Sequence, residues 1–443
     1  MSNEENRASV KLLNTNQILI QDFFSNLSKF YYDKARAVIE KSKESSKVWS
    51  IFQTALTNFA LAEKNYNNLI FISQRPATRI GDRYYESAFT AFEQINKETF
   101  SLRSNSLSTE SPNLYDTLNE LSHQLISLIE FRYQMISLYS ELKDKEMRQE
   151  KDSIELSLKN LNDLKQKYLK NETSPLIESL KHVFDLEMNL LTSLLTCHSS
   201  LDYKLDCIKA IISIKKINNI FNSEHIFQAS KTIKEIKSFS LFSRATSQQR
   251  QQPALFQWFK IYYQALLNKF SILMHDSFSQ IHDVSHVMND KIPIYNQLIS
   301  FINKYTPFLT GIILDTTLSG STNFRGSGYE FVDIQNHSKN KSGIDQFPFV
   351  FSYPKLKNID YEKHVKNFAY LVKEVFDSKV KYYYDQNLKS SYYLYKISDY
   401  YTLVVLFEVS KQENKTKVAS ILQEIGDDLN MTNVFGSFNQ NLK

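Results

Sequence analysis

Apolar residues recur at alternating spacings of three and four along roughly the first 250 residues, which predicts long amphipathic helices. One apolar stripe covers residues 20–38 and another covers 48–69. Two Ser-Pro pairs, Ser111-Pro112 and Ser174-Pro175, predict further helix starts, because serine caps a helix N-terminus and proline fits the first turn. Long helices with short polar breaks pack as an antiparallel bundle.

Two stretches lack this periodicity and are predicted as loops. Residues 101–112 are rich in serine, and residues 238–253 carry Ser, Gln and Arg. The second stretch is predicted as a linker, and an aromatic stripe over 255–273 predicts one more helix after it.

The pattern changes after about residue 305. Seven of the eight glycines lie there, and only Gly81 precedes residue 300, so turns between strands are expected in this part. Short runs rich in β-branched and aromatic residues predict strands at 311–315, 347–351, 392–396 and 402–409. The last two of these strands are predicted to form an antiparallel pair. Helical patterns cover 361–376 and 415–429.

These patterns together predict an α+β protein. We expect a large N-terminal antiparallel helical bundle over residues 10–250 and connecting helices packed on the bundle over 251–305. A smaller C-terminal α/β domain with a mostly antiparallel sheet is expected over 306–443.

Composition narrows the classes of function. The net charge of +5 comes from 53 basic and 48 acidic residues, and the lysine-rich stretches 204–216 and 231–237 alternate with Ile and Leu. That alternation is typical of the solvated side of an amphipathic helix, so we expect no nucleic-acid binding. The 26 Tyr and 31 Phe allow a large core and leave tyrosines for surfaces on which a partner docks.

The sequence gives no sign of membrane insertion. The first residues are polar and acidic, and Ser2 stands where myristoylation needs glycine. The longest apolar run is five residues, as at 403–407, against roughly 20 for a membrane span. We therefore expect a cytoplasmic protein that reaches a membrane through its partners.

Three groups of residues could carry chemistry, and each has a plainer interpretation. His282 and His286 could share a helix face with His275 nearby, but a zinc helix needs Glu at 283 and no third ligand is apparent, so surface or capping histidines are favoured. The glycine-rich stretch 320–328 runs into strand-like residues rather than Gly-Lys-Ser/Thr, which favours a turn over a nucleotide site. Asp315 has Thr317 where a phosphotransfer site needs a second carboxylate, so a simple turn aspartate is favoured.

The two cysteines also argue against catalysis. Cys197 and Cys207 are ten residues apart, near the end of one predicted helix and the start of the next, and form no Cys-x-x-Cys pair. Cys197 precedes His198, but adjacent helical residues point about 100° apart, so no dyad is expected. We predict a protein that is not an enzyme, with no catalytic residue, cofactor or bound metal.

Short matches along the chain resemble the KICSTOR complex subunit 2 family. They occur in order, and their order rather than any one motif carries the resemblance. The matching stretches are 22–27 with Phe30 and 32–35, 60–66, 174–176 with 178–179, 269–271 with His275, 324–329, 343–348, 402–408 and 434–437.

The resemblance implies a role in assembly. KICSTOR is a scaffold on the lysosomal surface that recruits the GATOR complex, a GTPase activator for the Rag GTPases, and so keeps the TOR kinase complex inactive when amino acids or glucose are scarce. It implies partners among the other KICSTOR subunits, including a very large scaffold subunit, and the GATOR complex, with self-association left open. The candidate interaction loops are Phe324, Arg325, Gly326, Gly328, Tyr329, Asp345, Gln346 and Phe347.

One alternative of another class stays open. A helical bundle can act as a lipid-surface or membrane-remodelling module, which would need a strongly basic face. The alternating charges along the predicted helices favour the adaptor over this alternative.

Overall fold

The computed structural model describes residues 3–42, 46–72, 80–105, 114–147, 153–168, 174–223, 252–274, 293–318, 346–356, 361–375, 377–408 and 415–436. The chain forms two compact units. Unit 1 comprises Met1–Thr192, Asn219–Phe259 and Gly436–Lys443, and unit 2 comprises Ser193–Asn218 and Lys260–Phe435. The described ranges contain thirteen α-helices and five strands, which confirms the α+β class. The predicted boundaries at 250 and 305 stay a prediction.

In unit 1, each of the first five helices contacts the next helix along the chain. The helices of its first segment, Met1–Thr192, are α1 (Asn3–Ser28), α2 (Tyr32–Ile39), α3 (Lys47–Asn67), α4 (Ile80–Asn105), α5 (Leu114–Met147), α6 (Ser153–Tyr168) and the first part of α7 (Glu178–Asp202). The predicted stripe at 48–69 is confirmed as α3, which buries Val48, Phe52 and Phe59. Ser46 caps α3 by accepting a hydrogen bond from the Trp49 amide at 3.3 Å.

Two expectations about unit 1 are wrong in detail. The stripe at 20–38 is two helices rather than one, because Phe30 adopts the left-handed conformation with φ 62° and the chain turns between α1 and α2. The loop predicted at 101–112 begins too early, since α4 continues to Asn105. There the Ser101 hydroxyl donates to the Glu98 carbonyl at 2.8 Å within the helix.

The Ser-Pro prediction at 174–175 is confirmed. The Ser174 side chain accepts from the Leu176 amide, and Pro175 opens a 3₁₀ turn, Pro175–Ile177, that leads into α7. The other pair, Ser111-Pro112, and the linker predicted at 238–253 lie outside the described residues, apart from the residues just before the next helix. That helix, α9 (Ala254–Leu273), agrees with the aromatic stripe, and α8 (Cys207–Ser223) precedes the linker.

Arg132 lies at the centre of a charged cluster in the core of unit 1. Its guanidinium donates to both oxygens of Glu63 at 2.8 and 2.9 Å, and to Glu187 at 2.5 Å. All three side chains are buried. Three buried tyrosine hydroxyls complete the cluster by donating to the carboxylates, Tyr85 to Glu63, and Tyr66 and Tyr139 to Glu187. Four helices, α3, α4, α5 and α7, are thereby held by polar contacts inside an apolar core.

Unit 2 contains a five-stranded antiparallel sheet. Its strands are β1 (Leu309–Leu314), β2 (Phe349–Tyr353), β3 (Lys381–Asp385), β4 (Ser390–Lys396) and β5 (Tyr401–Glu408), in the spatial order β2-β1-β5-β4-β3. Among the predicted strands, the pair at 392–396 and 402–409 is confirmed as β4 and β5. The strands predicted at 311–315 and 347–351 are shifted by about two residues, and β3 was not predicted.

Helices cover both faces of the sheet. Alternate residues of β5 enter different clusters. Leu403 and Val405 pack with residues of α10 (Pro293–Tyr305) and α12 (Lys415–Asn430), whereas Val404 and Leu406 pack with residues of α11 (Val365–Lys373). The helix predicted at 361–376 is a 3₁₀ turn, Glu362–His364, followed by α11, and the one at 415–429 is α12. A short helix, α13 (Thr432–Gly436), ends the described chain.

Among the ranges that the structure describes, no helix combines the length and the apolar character needed to cross a membrane.

Candidate interaction surface

Most of the predicted interaction loop falls outside the described residues. This applies to Phe324, Arg325, Gly326, Gly328, Tyr329 and Asp345. Gln346 and Phe347 are described. The Gln346 carbonyl accepts from the amide and the hydroxyl of Thr316, each at 3.0 Å, which ties this segment to the end of β1. Phe347 is buried in the cluster on the α11 side of the sheet, so it anchors the loop, while the partner contacts of the loop stay a prediction.

The candidate chemical residues that can be placed have structural partners. The Asp315 carboxylate accepts from the amide of Thr317 at 2.9 Å and from its hydroxyl at 2.5 Å, which closes the turn after β1. His275, His282, His286 and the stretch 320–328 lie outside the described residues. Within the described ranges, no group of three or more His, Cys, Asp or Glu side chains is arranged to hold a metal ion.

Neither cysteine is a thiolate at neutral pH. Cys197 lies near the end of α7 and Cys207 begins α8, as the sequence predicted. Burial, reinforced by Asp202, raises the pKa of Cys197 to about 12, and burial with Asp206 raises the pKa of Cys207 to about 12. Because the thiolate is the nucleophilic form, these thiols are unsuited to catalysis.

His198 belongs to a buried polar cluster of unit 2. Its Nδ1 lies 2.7 Å from the Tyr262 hydroxyl and its Nε2 lies 2.9 Å from Asp202. Asp202 also pairs with Lys269, whose Nζ lies 2.5 Å and 2.7 Å from the two carboxylate oxygens. Burial alone would raise the pKa of Asp202, but Lys269 and His198 together lower it below its usual value. His198 therefore links α7 to α9 through Tyr262, and Asp202 links the same two helices through Lys269.

In the described part of unit 2, the edge strand β3 carries three consecutive exposed tyrosines. Its sequence is Lys-Tyr-Tyr-Tyr-Asp, and the three tyrosines are between 37% and 42% exposed. Within the described part of the chain, β3 pairs with β4 and with no other strand. An edge strand leaves one row of backbone amide and carbonyl groups available to another chain.

Tyr382 and Tyr383 lie on opposite faces of the sheet, as alternate strand residues must. The Tyr382 ring packs edge-to-face on Tyr393 at 5.1 Å, and Lys415 Nζ lies 4.3 Å from the centre of the ring. Burial would raise the pKa of the Tyr382 hydroxyl, but hydrogen bonds with Lys415 and Ser391 outweigh it and lower the pKa. The Tyr383 ring packs 6.0 Å from Tyr392 on the α11 side.

The hairpin between β3 and β4 is fixed by Asp385. Its carboxylate accepts from the amides of Asn387 at 2.8 Å and Leu388 at 3.1 Å, and from the Asn367 side chain at 2.7 Å. These hydrogen bonds, that of Asn367 first, lower the pKa of Asp385. Lys389 completes the turn with φ 46°. The edge strand is thus held in position at its hairpin end.

A chain of side chains below the edge connects α11 to β4 and β5. His364 is fully buried, with Nδ1 2.7 Å from the Tyr392 hydroxyl and Nε2 2.9 Å from Glu408. Lys363 pairs with the same Glu408 oxygen at 2.6 Å, and Asn367 donates to the Tyr392 hydroxyl at 2.9 Å. Burial raises the pKa of Tyr392 to about 12, so its hydroxyl keeps its proton. The cluster holds Tyr392 in place, and the exposed Tyr383 packs against Tyr392.

This arrangement suits binding of another polypeptide. An extended segment can add to a sheet edge through main-chain hydrogen bonds, while side chains on both faces supply specificity. Tyrosine is enriched at protein interfaces because a large apolar ring carries one polar group. The edge strand β3 with Tyr382, Tyr383 and Tyr384 is the surface that we call the β3 edge.

Sequence reasoning did not find the β3 edge. The run of three tyrosines at 382–384 was a signal of strand propensity, but the charged neighbours Lys381 and Asp385 and the lack of apolar alternation concealed it. Its position at the edge follows from the pairing of β1 with β5, which are about 90 residues apart, and no local pattern encodes that pairing.

Comparison with known proteins gives one consistent result. A family model described as "KICSTOR complex C12orf66 like" matches residues 10–443. A protein of Xenopus laevis named KICSTOR subunit 2 is 28% identical over 436 residues, covering 95% of this chain and 96% of the relative. A protein of Danio rerio with the same name is 24% identical over 439 residues, covering 95% of this chain and 94% of the relative.

Proposed function

We propose a function from one premise, that this chain belongs to the KICSTOR C12orf66-like family. On that premise the protein is a non-catalytic adaptor subunit of a KICSTOR-like scaffold. It helps to recruit the GATOR GTPase-activating complex to the lysosomal surface, and it thereby restrains the TOR kinase complex when amino acids or glucose are scarce.

The observation that carries the proposal is the extent of the match. Relatives named KICSTOR subunit 2 align with 95% of this chain and with 94–96% of their own length. Alignment over both units supports an equivalent role for the whole molecule rather than a shared single domain. The word subunit in the names of these relatives supports a role for this protein as one component of a complex.

The geometry supports a binding role. Within the described residues, the β3 edge presents three partly exposed tyrosines and a strand that is paired on one side, which fits strand addition by a partner. Among the described residues, both thiols have a pKa of about 12, and the ring nitrogens of His198 contact Tyr262 and Asp202. These features favour a scaffold component over an enzyme.

The partners follow from the proposed assembly. They are the other KICSTOR subunits, including a very large scaffold subunit, and through them the GATOR complex. In this proposal the protein works in the cytoplasm and reaches the lysosomal membrane peripherally, as one component of the complex.

Affinity purification of the tagged full chain tests the proposal. Cells would be grown with and without amino acids, and the recovered proteins identified by mass spectrometry. We expect a very large scaffold subunit and GATOR components to co-purify in both conditions. Recovery of the tagged chain without any KICSTOR subunit would contradict the proposal.

A further inference from the structure

Helix α8 has an outward face of isoleucines that nothing in the proposed function explains. The helix buries Ala210, Ser213 and Ile217 along one side. At 100° per residue, Ile208 points almost directly away from that side, and Ile211 and Ile212 lie about 50° to either side of that direction. These three isoleucines are between 42% and 61% exposed.

Clustering distinguishes these isoleucines from other exposed aliphatic residues. Elsewhere in the described ranges, exposed isoleucines and leucines stand singly on their elements, as single surface hydrophobics normally do, at Ile18, Leu156, Ile261 and Leu318. In α8, residues 208, 211 and 212 are related by three and four positions and form one continuous patch. A continuous apolar patch surrounded by charge marks a surface that meets another phase or molecule.

The charge around the patch has one sign. Helix α8 contains Lys209, Lys215 and Lys216 and no Asp or Glu between Cys207 and Ser223. All three lysines are exposed, and within the described part of the chain none lies within ion-pair distance of a carboxylate. Asp206, just before the helix, caps it by accepting from the Lys209 amide at 3.0 Å. The face therefore combines three isoleucines with three lysines and no acidic residue of the helix itself.

We propose that this face of α8, with Ile208, Ile211 and Ile212 surrounded by Lys209, Lys215 and Lys216, docks on an anionic lipid surface. The isoleucines enter the boundary of the acyl chains, while the lysine stems extend so that their ammonium groups meet lipid phosphates and carboxylates. This inference goes beyond the proposed function, in which attachment to the membrane comes through partners.

The composition of the face favours lipid over protein. Protein interfaces are enriched in Tyr, Trp and Arg and depleted in Lys, whereas helices that lie on membranes combine aliphatic residues with lysine. The exposed positions of α8 carry Ile, Lys and Asn and no Tyr, Trp or Arg. Aliphatic side chains without a fixed polar pattern suit a fluid apolar phase.

Vesicle flotation of the purified full chain tests the proposal at about 0.15 M salt. The probes are phosphatidylcholine vesicles and vesicles with roughly one third phosphatidylserine, a strongly anionic surface. We expect binding to the anionic vesicles and little to the neutral ones. Each lysine near an anionic surface contributes about a five-fold change in affinity, so Lys215→Glu with Lys216→Glu is expected to weaken binding at least about 25-fold.

Matched variants distinguish the contribution of this face from general effects of lost apolar surface or changed net charge. Ile208→Ser with Ile212→Ser should weaken binding by about ten-fold or more, since two partly exposed apolar side chains are lost. Ile18→Ser with Ile261→Ser removes two exposed isoleucines elsewhere and should bind as the wild type does. Lys159→Glu with Lys417→Glu makes the same change in net charge on α6 and α12 and should also leave binding nearly unchanged.

Two results would overturn the proposal. One is a wild-type chain that does not float with anionic vesicles. The other is a Lys215→Glu, Lys216→Glu variant that melts normally and floats as the wild type does. Loss of co-purifying KICSTOR subunits in that variant, without vesicle binding by the wild type, would instead assign the face to a protein and leave the proposed adaptor function intact.

Discussion

At the scale of single residues, the buried Arg132 cluster is the most demanding feature of unit 1. Two carboxylates share one guanidinium, so the cluster carries a net negative charge in the core, and three tyrosine hydroxyls stabilise the carboxylates by donating hydrogen bonds. Burial opposes the charge of Arg132, but Glu63 and Glu187 more than offset it and raise its pKa. The ion pairs themselves add little net stability, but removing one partner is costly because it leaves the other charge buried and unpaired.

Replacing Arg132 by Met should therefore be severe. The change leaves Glu63 and Glu187 buried without their cation, and we expect the free energy of unfolding to fall by about 3–5 kcal/mol. Urea denaturation followed by circular dichroism measures this. Lys47→Ala, which breaks the exposed pair with Glu98, is the control and should cost at most about 1 kcal/mol. Equal losses in the two variants would refute the role of the cluster.

Asp202 should make the stability of unit 2 depend on pH in the acidic range. Its pKa is lowered in the folded chain, so the carboxylate contributes stability that is fully present above its unfolded pKa of about 3.9. That contribution is lost as the pH falls through the lower folded pKa. The difference in free energy of unfolding between the wild type and Asp202→Asn should stay constant from about pH 7 to pH 5 and shrink below about pH 4.

Urea midpoints measured at intervals from about pH 7 to pH 3 would show this behaviour. The exposed Asp33, replaced by Asn, is the control and should leave the pH profile unchanged. A difference for Asp202→Asn that vanished near pH 6 would point to titration of another group and contradict the assignment.

At the scale of elements, the sequence predicted the helices and strands whose pattern of apolar and polar residues matches the pattern of buried and exposed side chains. Helices α3 and α12 carry a full apolar stripe, and β5 contains an unbroken apolar run at 403–407 because it is buried on both faces. Helix α4 was overlooked although Tyr85, Ala88, Phe92 and Ile95 follow the same spacing, so its signal was present. By contrast, the break between α1 and α2 depends on the left-handed Phe30, for which the residue type gives no hint.

The candidate surface was less predictable than the fold. The polar clusters bring together Glu63, Arg132 and Glu187, or His364, Tyr392 and Glu408, from elements far apart in the chain. Each residue looks like an ordinary polar position until the helices and strands are packed. Sequence patterns report the periodicity of burial but not which elements meet.

Gly426 gives a test of the packing between α12 and β4. A methyl group at this position would lie 2.5–2.6 Å from ring atoms of Tyr395, and that ring is held by its hydroxyl, which donates to Asp427 at 2.7 Å. Alanine gains about 1 kcal/mol of helix propensity over glycine, but overpacking costs typically 1–3 kcal/mol. We expect Gly426→Ala to be destabilising overall.

The measurement is the thermal midpoint, compared with Gly436→Ala as the control. A methyl group at Gly436 would have no atom within 4 Å, so that substitution should be close to neutral. A Gly426→Ala variant more stable than the wild type would show that helix and sheet are less tightly packed here than the distances indicate.

At the scale of the whole molecule, the family could be inferred from sequence because many short matches occur in order along nearly the whole chain. The proposed partner surface could not be inferred from sequence, since it depends on which strand lies at the edge of the sheet. We propose that the protein acts by binding partners and that the β3 edge is one place where they bind.

A comparison of two variants by quantitative affinity purification tests that claim most directly. Tyr383→Glu with Tyr384→Glu places charge on the β3 edge, which opposes strand addition, whereas Tyr370→Glu changes an exposed tyrosine on α11. If Tyr383 and Tyr384 are interface hot spots, the edge variant should lose KICSTOR subunits by about 30-fold, which corresponds to about 2 kcal/mol, while its urea midpoint and the Tyr370→Glu control remain close to wild type. Full recovery of the subunits by a folded edge variant would contradict the account.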